Sequence, residues 1–140
     1  FAFRTKTEDL SHRYKMLLCI VLTSQICKRF ANGGKPFSAL DLKLQTGIPI
    51  RIVNELLYEL SQTHILTEIT SGDKGETTHY QPAECITRLA VGTVIDRIEA
   101  YGKWTLNIDM KRLASPAWRK IIASRNEYLT EQRQVMLKDL

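Results

Sequence analysis

The longest uninterrupted apolar run in this chain is Met16 to Leu22, seven residues, whereas a membrane-spanning helix needs roughly 20, so nothing here is expected to cross a bilayer. Cysteine is scarce. Cys19, Cys27 and Cys85 are odd in number and far apart, which argues against a disulfide framework and for a reducing compartment. His12, His64 and His79 fall in three separate stretches without HxxxH, HxH or CxxC spacing, so no zinc or two-metal hydrolase site is expected. The phosphate-cradling GxxxxGK[ST], the dinucleotide GxGxxG and the nucleophile elbow GxSxG are all missing. Glu55 and Glu59 lie one helical turn apart and read as a solvated face rather than an acid/base pair. No catalytic residue, metal, cofactor or small-molecule substrate is therefore expected. There is no internal repeat or low-complexity tract. The chain opens on Phe1 rather than Met, and Phe1 to Thr7 has no signal-peptide core, so it reads as a piece of a longer protein.

What is present is ordinary globular composition, 44% hydrophobic and 25% charged over 140 residues, enough for one domain with an appendage. Phe1 to Leu10 is polar and reads as a poorly ordered lead-in or short cap. From the N-cap Ser11, apolar residues at Tyr14, Leu17, Leu18, Val21, Leu22 and Ile26 recur at helical intervals, and the breakers Asn32 to Pro36 end that helix near Phe30. Ser38 can cap a short helix over Ala39 to Thr46, Gly47 supplies a left-handed turn, and Pro49 suits the first turn of a second helix running from Arg51 to Gln62. His64 to Ile69 reads as a strand, Ser71 to Gly75 as a turn and Thr77 to Tyr80 as the return strand. His64 and His79 are placed to face each other across that hairpin. Helix, turn, helix and hairpin make a winged helix: a mainly α (α+β) fold with a two-stranded β wing. Leu89 to Gly102 forms a fourth helix, closing a winged-helix domain at residues 1–102. Lys103 to Ala114 reads as a linker, with Trp104, Leu106 and Ile108 alternating as a weak strand or a strap against the core. Ser115 and Pro116 then open a long C-terminal helix, and residues 115–140 pack on the domain or on a second copy. Trp118, Ile121, Ile122 and Leu129 on that helix are the candidates for self-association.

Charge divides the chain. Residues 1 to 36 carry seven basic and two acidic side chains, a balance of +5. Residues 37 to 82 carry three basic and six acidic ones, a balance of −3. With Ile52, Val53, Leu56, Leu57 and Leu60 inward, the second helix offers Arg51, Asn54, Tyr58 and Gln62, donors suited to base edges. Glu55 and Glu59 would then stand near phosphates, and phosphate neutralisation supplies most non-specific affinity. The acidic balance favours a winged helix that works through a protein partner or self-association. A dimeric DNA-binding regulator using Arg51 and Asn54 is the alternative.

Two resemblances bear on this. ITRLAVGTVIDRIEAYG, after the wing, resembles the matching stretch of iron–sulfur-sensing winged-helix repressors, in which a valine-rich helix leads to a dimerisation helix and clustered cysteines follow. No cysteine follows Cys85 here, so the cluster ligands are missing, and Cys19 and Cys27 read as small core residues. SHRYKMLLCIVLTSQICKRFANGGKPF followed by GIPIRIVNELLYELSQTHILTE resembles the soluble C-terminal extension of the YihY/BrkB family of bacterial inner-membrane proteins, once labelled ribonuclease BN, over roughly Phe3 to Tyr101. That resemblance implies a non-enzymatic regulatory domain at the cytoplasmic face of the inner membrane, joined to a transmembrane region before Phe1. It carries over no catalytic residues. In that setting Arg4, Lys6, Arg13 and Lys15 would lie against the anionic leaflet.

Overall fold

The computed structural model describes residues 5–70, 76–103, 106–109, 112 and 116–140. A 3-10 turn at Thr7–Asp9 precedes α1 (His12–Ala31), followed by β1 (Phe37–Ser38), α2 (Ala39–Thr46), α3 (Ile50–Gln62), β2 (Leu66–Thr70), β3 (Thr78–Pro82), α4 (Val91–Glu99) and α5 (Ala117–Gln132); a last 3-10 turn spans Leu137–Asp139. This is a winged helix with a long C-terminal helix.

Local chemistry sets most boundaries. The Ser11 hydroxyl accepts the Tyr14 N–H at the start of α1, and Gly33, at φ +71°, lets the chain leave the far end. Ser38 and Asp41 form a reciprocal capping box on α2: Oγ of Ser38 accepts from Asp41 N at 3.2 Å, and the Asp41 carboxylate accepts from Ser38 N at 2.9 Å. Gly47 ends α2 in the left-handed region at φ +76°. At the end of α3 the left-handed residue is His64, at φ +60°. Its N–H reaches Ser61 O and the Ile65 N–H reaches Leu60 O, the paired bonds of a Schellman cap. His64 is thus a helix-closing residue rather than the first residue of β2, and His79 pairs across the sheet with Ser38 and Ile69, so the two histidines do not face each other.

The sheet has three antiparallel strands rather than two, in the order β1-β3-β2. Phe37 pairs with Tyr80 and Ser38 with His79, while Leu66 to Thr70 pair with Pro82 to Thr78. Pro82 sits in the central strand without breaking it, because β1 pairs only as far as Tyr80 and no neighbour on that side asks for its missing N–H.

One core runs through the domain. α1 packs on β3, on α3, on α4 and on the final 3-10 turn, which explains why its buried residues, Met16, Cys19, Leu22, Thr23, Ile26 and Cys27, are not confined to one stripe. α3 supplies Ile52, Val53, Leu56, Leu57 and Leu60, and α4 supplies Val91, Val94, Ile95 and Ile98. α5 ends at Gln132 rather than running to the chain end. The residues beyond it turn back on α4: Val91 donates to Val135 O, Leu137 donates to Leu89 O, and Leu137 is fully buried. In the 103–114 stretch Leu106 and Ile108 are exposed and belong to no strand, so they do not strap the core. Trp104 and the Ser115 cap lie outside the described residues, as does the Ser71 to Gly75 turn.

Candidate nucleic-acid interface

The outward face of α3 is built by exclusion. Five apolar residues turn inward, and at 3.6 residues per turn Arg51, Asn54, Tyr58 and Gln62 fall within an arc of about 80° on the opposite side. All four are exposed, Tyr58 by 58%. The stripe runs for about 16 Å at 1.5 Å per residue, the scale of a major groove about 12 Å wide. The capped start of α2, the Gly47 turn and Pro49, which stands at the N-cap of α3, set the angle at which the helix is presented.

The two carboxylates that argue against phosphate contact both have partners within the chain. Glu55 accepts both the backbone N–H and the hydroxyl of Thr7 at 3.0 Å, with Arg51 Nε 3.4 Å from its other oxygen. The Thr7 backbone bond, followed by the Thr7 hydroxyl and Arg51, holds its carboxyl below the usual range. Glu59 faces Lys15 of α1, whose ammonium lies 2.8 Å from each carboxylate oxygen, and both side chains are largely covered. Asp41 is committed to the α2 cap. Of the six acidic side chains in residues 37 to 82, three are therefore satisfied internally. Glu68 and Glu76 remain exposed on the hairpin, and Lys74 and Asp73 lie outside the described residues.

Thr7, and the pairing of Lys15 with Glu59, are what the sequence does not announce. The lead-in before α1 packs on the side of α3, through Thr7 and Glu55. No local signal announces this, since Thr7 and Lys15 reach partners 48 and 44 positions away. Of the four cations assigned to a membrane leaflet, Lys15 is spent inside the domain, Lys6 lies 3.8 Å from Glu8, and Arg4 lies outside the described residues.

The other sequence-predicted residues separate. On α5, Ile121 and Ile122 are exposed by 55% and 39% and Trp118 is half-buried, but Leu129 is 2% exposed and belongs to the chain's own core. Arg125 reaches Asp96 and Glu99 of α4 at 3.3 and 3.6 Å. Burial pushes the Cys19 and Cys27 thiols up to about 12, with Glu59 adding to the effect at Cys19, so both are inert core residues. Cys85 is exposed, and its hydrogen bond with Thr87, 2.9 Å away, lowers its pKa. Among the described residues no group of three or more His, Cys, Asp or Glu is placed to hold a metal ion, and no helix is long and apolar enough to cross a membrane.

No protein-family model matches the chain. No curated protein matches it in sequence. Solved structures do resemble it. IscR of T. potens superposes with a TM-score of 0.62 at 15% identity, over 93% of this chain and 83% of its own. CymR of B. subtilis, described as the global cysteine regulator of that organism, gives 0.61 at 14% identity over 93% of each chain. CymR of Staphylococcus aureus gives 0.60 at 17% identity over 89% of this chain and 93% of its own. At these identities the likeness is one of fold.

Proposed function

We propose that this chain is a non-enzymatic, DNA-binding winged-helix regulator that works as a dimer. One observation carries the reading: the acidic side chains that would repel phosphate from α3 are engaged within the chain, Glu55 by Thr7 and Arg51 and Glu59 by Lys15, beside an outward stripe of Arg51, Asn54, Tyr58 and Gln62. The fold likeness to proteins described as regulators supports it. Arg51 and Asn54 read bases, and the half-buried Trp118 with the exposed Ile121 and Ile122 of α5 joins two copies so that both α3 helices meet one duplex, about 34 Å apart. The inner-membrane reading rests on sequence resemblance alone, and the compared structures bear on regulators only.

The test is fluorescence anisotropy of the purified protein with mixed genomic duplexes, titrated from low to physiological salt. Saturable binding with a steep salt dependence is expected, and Arg51→Ala should lose about 1–3 kcal/mol of sequence discrimination. Absence of binding at low salt overturns the proposal and returns the winged helix to protein contacts.

A further inference from the structure

The connection between α1 and β1 fixes an exposed arginine beside α2. Arg29, in the last turn of α1, donates Nε to the Lys35 carbonyl at 2.8 Å, and its guanidinium carbon lies 4.9 Å from the centre of the Phe37 ring. Gly34 closes on the same side chain. A Cβ there would meet Arg29 Nε, Cδ and Cζ at 2.6, 2.8 and 2.9 Å, so the approach requires glycine although its φ is not in the left-handed region. A carbonyl, an aromatic face and a glycine thus hold a side chain that an exposed arginine ordinarily leaves free among its rotamers.

This ordering has no acidic counterpart. Among the described residues neither Arg29 nor Lys35 forms an ion pair. The side chains line an open groove of about 540 Å³ together with His79 and Gln45, and its one carboxylate, Asp41, is engaged by the α2 cap. The groove lies between α2 and the first residues of β3, where the chain re-enters the sheet from the wing. A guanidinium ordered in advance, with cationic and amide neighbours and no carboxylate of its own, is suited to a phosphate oxyanion.

We propose that this groove seats a phosphate of the DNA backbone, with Arg29 as its positioned donor and Lys35 beside it, so that the α1–β1 connection forms a second, sequence-independent contact flanking α3. The inference rests on the DNA-binding reading above.

Its test uses the same anisotropy titration with two variants. Arg29→Ala removes the charge. Gly34→Ala keeps the charge but displaces the head group, because the added methyl meets only the flexible end of Arg29. Loss of one phosphate contact lowers the slope of log K against log salt by about 0.9. Both variants are expected to approach that change and to bind several-fold more weakly on every sequence tested, with unchanged circular dichroism. If Arg51→Ala weakens binding while both of these leave affinity and slope unaltered, the phosphate seat is wrong and the regulator reading stands. If the wild type does not bind at low salt, both fall together.

Discussion

α3 and α5 are helices of 13 and 16 residues, both with ample apolar side chains, and they meet opposite fates. α3 buries Ile52, Val53, Leu56, Leu57 and Leu60; α5 buries Leu129 alone. The spacing in α3 is unbroken, so every turn returns an apolar residue to the face met by α1, α2 and β2. In α5 the run from Trp118 through Ile122 is cut off from Leu129 by Arg125, which reaches across to Asp96 and Glu99 of α4. Its second half is thereby fastened to α4, while Ile121 and Ile122 face solvent. Continuity of the stripe, and what stands opposite, decides burial; the number of apolar residues does not.

The largest expected effect breaks or upholds that contrast directly. Leu57→Ala removes a fully buried side chain from a packed core and should cost about 2–5 kcal/mol, the usual range for such cavities. Ile121→Ala should stay within about 0.5 kcal/mol at protein concentrations low enough for single chains, since it vacates surface. Urea unfolding measures both. At high concentration the same Ile121→Ala should shift a monomer–dimer equilibrium in analytical ultracentrifugation. Equal costs in dilute solution would place the front of α5 inside the fold and end the contrast.

A smaller effect is expected where α5 is fastened. Gly92 opens α4 against the end of α5: a Cβ there would meet Arg133 Cγ at 2.7 Å, Arg133 N at 2.8 Å and Leu129 O at 2.9 Å. Two of these are backbone atoms and cannot swing aside, so Gly92→Ala must push the helices apart. The cost should be about 1–3 kcal/mol, as for overpacking elsewhere. Limited proteolysis should then release α5 while leaving the 5–99 region resistant. A variant as resistant as wild type would show that α5 is held by its ion pairs with α4 instead of close backbone packing.

Much of this was readable in advance wherever one residue carries the physics of a local turn. Ser38, Gly47 and Pro49 mark α2 and α3 because capping and left-handed geometry act within a few positions, and the stripe of α3 is a local period. The end of α3 was less readable, because His64 does the work that glycine usually does and sits beside β-forming residues. β1 is too short to carry an alternation, and it exists because Phe37 and Ser38 pair with β3. The return of Val135 and Met136 toward the start of α4 looked like continued helix, since both residues fit its period. The candidate site was readable as a list, Arg51, Asn54, Tyr58 and Gln62, but its sign was not. Net charge counts Glu55 and Glu59 as surface, and only the folded chain reveals Thr7 and Lys15 as their partners.

The clamp on Glu55 gives the finest test, because it sets the polar flank of α3 apart from the exposed ion pairs of α5. The Thr7 bonds hold the folded carboxyl below its ordinary value of 4.5, so the unfolded chain takes up this proton first as pH falls. The stabilisation is complete above 4.5 and is lost as the pH drops through the lower, folded value. Other carboxylates titrate in the same window, so the informative quantity is the difference between wild type and Glu55→Gln. That difference in urea midpoint should be largest near neutral pH and should shrink as the pH falls through 4.5 and then through the lower, folded value. Removing Arg125, whose pairs with Asp96 and Glu99 are partly solvated, should cost at most about 1 kcal/mol and fade with added salt. A difference for Glu55→Gln that ignores pH would mean that Thr7 does not hold the carboxylate, and Glu55 would return to the docking face as the repulsive charge its position in the sequence suggests.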